Sequence, residues 1–422
     1  MPARYWYNLL LHLALPLIAL RLFWRALRAA DYGKRMLERF ALRLPTVQPG
    51  GIWLHAVSLG ESIAAAPLVE ALLERYPHLP ITMTCMTPTG SARIRALFGE
   101  RVQHGYLPYD LPWAARRFIG RLRPRLAILM ETELWPNHIH QCARLNIPVV
   151  LANGRLSERS ARGYARFGRL TRAMLGELSW LAVQTQVEAQ RFCALGALPE
   201  RVAVTGSIKF DIRPPAGIAE RAAALRCDWQ AQTRPLWIAA STHSGEDEIV
   251  LAAHQILLKS RPDTLLILVP RHPERFASVY QLAEKQGFTV KRRSTDEQVD
   301  ETTQVLLGDT LGELLFLYAL ADLAFVGGSL VPHGGHNLLE PAALGKPLLA
   351  GVHLFNFEGI AAQLKQAGAL QCVTDAKNLA ATLAALWDNP KQAQQMQAAA
   401  QSVLTANQGV LNRLLDGLHP HL

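Results

Sequence analysis

Short apolar runs and longer stretches of helical period alternate along this chain from residue 51 onward. Compact β-rich runs occur at 52–57, 81–86, 126–130, 148–152, 181–184 and 202–205. Helical stretches such as 62–75, 90–97, 136–145 and 157–176 lie between them. Strands and helices that alternate in this way predict a parallel sheet with helices on both faces. The stretch Phe210-Asp211-Ile212-Arg213-Pro214-Pro215 breaks the rhythm and reads as a linker. A second series follows at 236–240, 265–269, 305–307, 323–326 and 348–350. The final ~45 residues are rich in alanine, glutamine and leucine and read as helical. The pattern predicts two doubly wound α/β domains, 46–212 and 213–422, with a cleft between them. Ligands of such sheets sit beyond the carboxyl ends of the strands, so the loops there are where chemistry is sought.

Residues 1–45 have a different pattern. Leu9 to Leu20 is almost wholly apolar, Arg21 interrupts, and Leu22-Phe23-Trp24 resumes. The unbroken run is shorter than the ~20 residues that span a bilayer comfortably. A cleaved signal peptide also fits poorly, because Phe23, Trp24 and arginines stand where small residues belong. Tyr5, Trp6 and Tyr7 at one edge, Phe23 and Trp24 at the other, and a basic flank suggest an interfacial anchor. A short spanning helix with its basic side in the cytoplasm is the alternative. Either predicts a protein on the cytoplasmic face of the inner membrane, in contact with anionic lipids.

Composition narrows the picture. At 422 residues two domains are the natural expectation. Half of the residues are hydrophobic and 18% charged, which fits a folded chain with large cores. Five scattered cysteines without a Cys-x-x-Cys argue for reduced thiols and against a cysteine zinc site. The net charge of +10 is uneven. Residues 1–44 carry eight Lys or Arg against Asp31 and Glu38, and Arg155, Arg159, Arg162, Arg166, Arg169 and Arg172 face Glu158 alone. Such blocks suit polyanions, anionic lipid or a phosphorylated substrate, and equally suit solvated helix faces. Nucleic acid is not expected, because the interleaving of aromatic and basic residues that stacks bases is missing.

Candidate chemistry lies at the strand ends. Ala321-Asp322-Leu323-Ala324-Phe325-Val326-Gly327-Gly328-Ser329 is a strand ending on paired glycines. Gly334-Gly335-His336-Asn337-Leu338-Leu339-Glu340-Pro341 then reads as a helix opening with Asn337 and Glu340 in its first turn. Glycine permits close backbone approach, exposed amides at a helix start attract phosphate, and a carboxylate one turn in suits ribose hydroxyls. A nucleotide site is the reading. Pro270-Arg271-His272-Pro273-Glu274-Arg275 follows another strand and delivers an arginine to the same edge. Thr310-Leu311-Gly312-Glu313 has capping-box spacing. In the first half, Ser58 and Glu61 in Val57-Ser58-Leu59-Gly60-Glu61-Ser62 also have that spacing, and a carboxylate there suits a general base as well. Glu131 and Glu133 crowd beside Trp135, and Lys209 precedes the linker. His55, His243, His254, His272, His333 and His336 show no metal-ligand spacing. No Asp-x-Asp, P-loop or Gly-x-Gly-x-x-Gly occurs.

In this order the motifs resemble those of the lipopolysaccharide 3-deoxy-D-manno-octulosonic acid (Kdo) transferases, inverting glycosyltransferases of GT-B architecture. The resemblance also takes in His55-Ala56-Val57, Met86-Thr87-Pro88-Thr89-Gly90, Tyr106-Leu107-Pro108-Tyr109-Asp110 and Gly206-Ser207-Ile208-Lys209-Phe210-Asp211, and so spans nearly the whole chain. It implies CMP-Kdo as donor, a tetraacylated lipid A precursor as acceptor, and neither metal nor other cofactor. It implies Glu61 as general base, with Glu131 and Lys209 supporting the transition state. Pro270, Arg271, Leu311, Gly312, Glu313, Asn337, Leu338, Leu339 and Glu340 are implied to hold CMP. A UDP-N-acetylglucosamine 2-epimerase shares the architecture and is the rival reading, but has no need of the apolar, basic N-terminus.

Overall fold

The structure is a computed structural model that describes residues 2–295 and 298–422. It divides into two compact units, one formed by the chain up to Lys209 together with Gln408–Leu422, the other by Phe210–Asn407.

The first unit is built on seven strands: β1 (Ile52–His55), β2 (Ile81–Cys85), β3 (Gln103–Tyr106), β4 (Leu126–Met130), β5 (Val149–Gly154), β6 (Trp180–Val183) and β7 (Val202–Val204). They pair in parallel in the order β3-β2-β1-β4-β5-β6-β7. Alternate residues of each strand face opposite layers. Ile52 and Leu54 pack with Leu68, Leu72, Ile94 and Phe98 on one side. Trp53 and Leu129 pack with Phe118, Ile119, Ile139 and Phe192 on the other. Both faces are covered, so the central strands read as unbroken apolar runs.

The second unit repeats the plan with β8 (Leu236–Thr242), β9 (Leu265–Pro270), β10 (Val290–Arg292), β11 (Val305–Leu307), β12 (Leu323–Val326), β13 (Leu348–Ala350) and β14 (Leu370–Cys372). Their order is β10-β11-β9-β8-β12-β13-β14, again parallel throughout.

Three features depart from the sequence reading. Strands β3, β10 and β14, absent from it, all lie at sheet edges. The helix expected over 157–176 is two helices, Glu158–Ala165 and Gly168–Gly176. The closing residues do not all belong with 213–407. Helix Val410–Leu418 buries Val410, Leu414 and Leu418 in the first unit's core. Arg413 Nε donates to the Thr205 carbonyl (2.9 Å). Gly417 lies under Trp180, where an added Cβ would come within 2.1 Å of the ring. An amphipathic face shows that a helix packs, but not which core receives it.

The N-terminal helix runs from Pro2 to Arg28, through Pro16 and Arg21. Over Ala3–Arg28 it is long and apolar enough to cross a membrane. Leu13, Leu17, Leu20 and Leu27 are each more than three-fifths exposed. Polar contacts tie it to its own unit: the Tyr7 hydroxyl donates to Asp110 Oδ2 (2.9 Å), Asn137 Nδ2 donates to Asn8 Oδ1 (2.8 Å), and Arg4 pairs with Glu177 (3.6 Å).

Candidate active site

In each sheet the strand order reverses beside the first strand. In the first unit β1 pairs with β2 on one side and β4 on the other. Chain leaving β1 and chain leaving β4 therefore diverge, and a crevice opens beyond their carboxyl ends. Glu61 follows β1 and Glu131 follows β4.

Glu61 lies in the first turn of helix Leu59–Arg75, capped by Ser58. Its amide donates to Ser58 Oγ (3.5 Å), and its own carboxylate accepts from the Val57 amide (2.8 Å). The capping box has formed, with the carboxylate reaching one residue further back than the usual partner. Burial, helped by the negative charges of Glu133 and Glu131, raises its pKa to about 8, against the pull of the Val57 amide and the Lys209 cation. Glu131, Glu133 and Lys209 therefore all lie close enough to act on this one carboxyl. Glu131 is held at φ +55, left-handed for a non-glycine residue. Lys209 sits in the single turn Ile208–Phe210, fixed where the Ile208 amide donates to Asn153 Oδ1 (3.1 Å).

In the second unit β8 lies between β9 and β12, so the reversal falls there. The three segments linked with CMP follow β9, β11 and β12, all at the carboxyl edge. Arg271 is fixed by its amide to the Thr242 carbonyl (3.0 Å). Burial raises the pKa of Glu340, while the Asn337 side chain and the Arg271 charge oppose it. Asn337 Nδ2 donates to Glu340 Oε1 (3.1 Å), and its Oδ1 accepts from the Leu339 amide (3.1 Å). The helix here is one short turn, Leu339–Ala343, so Asn337 precedes it rather than lying within it. At the third segment Glu313, not Thr310, stands at the N-cap position of helix Leu314–Leu320, and its side chain makes no capping hydrogen bond. Thr310 Oγ1 donates to Glu313 Oε2 (2.7 Å), and Arg293 pairs with its other oxygen (3.1 Å). Burial works against the charged form of Glu313, but those two partners hold its pKa below the usual value. Leu311 is 77% exposed, so this loop offers backbone rather than a pocket wall.

Two elements of the second site were not seen in the sequence. Glu246 is fully buried and accepts amide hydrogens from Gly328 (2.6 Å), Ser329 (3.0 Å), Leu330 (2.9 Å) and His243 (3.2 Å). It is the clamp that shapes the first glycine pair. A Cβ on Gly327 would meet both Glu246 Oε2 and the Ser241 carbonyl at 2.8 Å, which is why glycine stands there. Four of the scattered histidines also gather here. The His243 ring stacks on His333 and His336, and His272 stands edge-on to it. The Nε2 atoms of His243 and His336 lie 2.8 Å apart. Burial, then neighbouring cations and the other rings, lowers the pKa of His243 to about 4 and of His336 to about 3, so both are neutral near pH 7. Among the described residues, no group of three or more His, Cys, Asp or Glu is arranged to hold a metal. Spacing gave no hint of the cluster, because 93 residues separate His243 from His336.

Doubly wound units of this kind occur in UDP-N-acetylglucosamine 2-epimerase from Neisseria meningitidis bound to UDP-GlcNAc. That structure is 14% identical, has a TM-score of 0.60, and covers 88% of this chain and 100% of its own. At that identity the likeness shows the fold alone. Residues 234–403 match the glycosyl transferases group 1 family, which makes the chain a glycosyltransferase of GT-B type. Residues 34–212 match the 3-deoxy-D-manno-octulosonic-acid transferase family. The 3-deoxy-D-manno-octulosonic acid transferase of Haemophilus influenzae is 46% identical over 422 residues, 99% of each chain. That of Bordetella pertussis is 38% identical over 430 residues, also 99% of each. The chain belongs to the 3-deoxy-D-manno-octulosonic acid transferase family.

Proposed function

We propose that the chain moves Kdo from CMP-Kdo to a tetraacylated lipid A precursor, lipid IVA, in lipopolysaccharide biosynthesis, with inversion at the anomeric carbon. The observation that carries this is Glu61: a half-buried carboxyl at a strand-order reversal, with its pKa raised to about 8. A base whose pKa lies near the working pH accepts a proton efficiently in the transition state. Glu61 takes the proton of the acceptor's primary hydroxyl. The freed oxygen bonds to the anomeric carbon as the bond from that carbon to the CMP phosphate breaks. The sugar carries oxocarbenium character, and the negative charge passes to the departing phosphate. Lys209 offsets that charge, an electrostatic role that often dominates such steps. Glu131 supports the cationic sugar. One base on the face opposite the leaving group suffices for inversion.

Pro270, Arg271, Leu311, Gly312, Glu313, Asn337, Leu338, Leu339 and Glu340 hold CMP in this reading. No metal takes part. The N-terminal helix and its basic flank keep the enzyme on the cytoplasmic face of the inner membrane, against anionic lipids. The test is CMP release from CMP-Kdo by purified protein, with and without the lipid A precursor, in EDTA. Release that needs the lipid and survives chelation supports the reading, and product mass counts the sugars. No release from folded protein overturns it and directs attention to UDP-sugars.

A further inference from the structure

We propose that a cavity of about 960 Å³ in the first unit, beneath the N-terminal helix, receives one acyl chain of the lipid acceptor. Trp6, Leu10 and Ala14 of that helix form one wall, and Trp135, Phe167 and Met174 form the other. Its size is at the upper end of the ~300–1,000 Å³ typical of small-molecule sites. A further cavity of about 110 Å³ continues it between Leu170 and Pro136, where Arg4 pairs with Glu177 (3.6 Å). The proposal rests on the acceptor being a lipid, as read above, and adds where its hydrocarbon goes.

A polar foot holds the walls together, beside apolar packing of Leu11 and Leu15 against Ala41, Leu111 and Ala114. Asp110, 2% exposed, accepts from Tyr7 and from the amides of Asn137 (3.0 Å) and His138 (2.9 Å), and pairs with His138 Nδ1 (2.6 Å). This fixes the N-terminal helix against helix Pro136–Arg144. Apolar side chains further along then face space that protein does not fill. An acyl chain fits that chemistry, because aromatic and aliphatic walls give it nothing to hydrogen-bond.

Two observations choose the occupant. The same helix exposes Leu13, Leu17, Leu20 and Leu27, a contiguous apolar face of the kind that soluble surfaces avoid, so the cavity borders lipid. Arg166 and Arg169 line it, and Arg155, Arg159, Arg162 and Arg172 are exposed on the same segment, which suits a lipid whose head carries phosphates. The cavity also reaches the acidic loop. Tyr164, one of its lining residues, donates its hydroxyl to the Thr132 carbonyl (3.3 Å), between Glu131 and Glu133. A chain seated in the cavity leaves its head group beside the carboxylates that act on Glu61.

The test is the apparent KM for acceptors whose acyl chains are shortened two carbons at a time, in the full-length protein and in Gly163→Phe. Gly163 lines the cavity, and a Cβ there meets nothing within 4 Å, so the position has room for a larger side chain to begin at the cavity wall. Each buried methylene is worth up to about fourfold in affinity. Wild type should therefore lose up to about fifteenfold per two-carbon step, and Gly163→Phe should flatten the series. A Gly163→Phe protein that melts like wild type and keeps the full dependence overturns the proposal. A second measurement needs no variant: an acceptor with a photoreactive group near its acyl terminus should label residues 135 and 158–176, and unlabelled acceptor should compete. Labelling confined to the outer face of the N-terminal helix, or competed equally by phosphatidylglycerol, overturns the proposal in favour of bulk lipid. Labelling does not depend on turnover, so a failure of the transferase reading is told apart from a failure of the acyl site.

Discussion

The two units each place a Gly-Glu pair at the same point of the same topology, and put it to opposite uses. Gly60-Glu61 follows β1 and Gly245-Glu246 follows β8, each the strand beside which its sheet reverses. Glu246 has no exposed surface and four backbone amides on its carboxylate. Glu61 is half-buried, has one such amide, and lies among two further carboxylates and a lysine. A carboxylate saturated with amide donors organises the backbone around it. Burial raises the pKa of both carboxyls; four amides oppose the rise at Glu246, whereas at Glu61 one amide and Lys209 oppose it and Glu133 and Glu131 add to it. The difference lies in the partners, not in the motif.

The largest effect expected from breaking this contrast is on turnover. Glu61→Gln removes the base and keeps its shape, so kcat should fall by about 10²–10⁴-fold, the usual range for a general base. CMP affinity, measured by calorimetry, should stay within error. Stability should move the other way. A carboxyl whose folded pKa is raised gives its stabilisation below the unfolded pKa and loses it as pH rises through the folded one. The wild type should thus lose stability between about pH 4.5 and 8, and the Glu61→Gln variant should melt at or above wild type at pH 8. A fall in melting temperature with activity preserved would make Glu61 a cap and nothing more.

Glu246→Ala should do the reverse. It leaves four buried or half-buried amides without their acceptor, at about 1–3 kcal/mol for each group left unsatisfied. With partial relaxation and water entry the loss should be about 3–5 kcal/mol, or on the order of 10 °C in the melting of a unit this size. CMP binding should weaken through the same loosening of the Gly327-Gly328 turn. An unchanged melting curve would show that the clamp is dispensable.

The pH profile sharpens the contrast with a smaller perturbation. If Glu61 is the base, log kcat should rise with unit slope up to about pH 8 and level above it, and the slope should vanish in Glu61→Gln. Glu131, Glu133 and Lys209 face the same carboxyl, so Glu133→Gln should shift the break downward by removing a negative neighbour. His243 and His336, with pKa values of about 4 and 3, should add no break above pH 5.

The central strands were legible in the sequence because a strand covered on both faces reads as a near-continuous apolar run: β4 and β9 are apolar throughout, and β1 and β8 are so up to His55 and Ser241-Thr242 at their carboxyl ends. Edge strands carry no such constraint. Gln103-His104-Gly105-Tyr106 and Val290-Lys291-Arg292 mix polar and apolar residues and are only partly buried, and their composition does not separate them from loops. The position of Glu61 at a helix start was legible from its capping spacing. Its raised pKa was not, since that comes first from burial in the folded unit and then from Glu133 and Glu131, which lie 70 or more residues away in sequence. Glu246 went unseen because the residues that bury it, Gly328 to Leu330, are more than 80 positions downstream.

The glycines that precede the two glutamates supply the smallest test and the one least open to confusion with chemistry. Gly245 has φ +83, a left-handed conformation that costs a residue with a Cβ roughly 1–2 kcal/mol. Gly60 lies inside the first turn of its helix, and an added Cβ would come no closer than 4.0 Å to Ser58 Oγ. Gly245→Ala should therefore destabilise the protein by about 1–2 kcal/mol, while Gly60→Ala should be neutral or stabilise it by up to about 1 kcal/mol. Urea melts of the two variants compare the turns directly, because each substitution adds the same single methyl group. Equal losses would mean that both turns need glycine for its backbone. The expected opposite signs would leave Gly60 free of any conformational demand, and any activity lost in Gly60→Ala would then report on what approaches Glu61 rather than on how its helix folds.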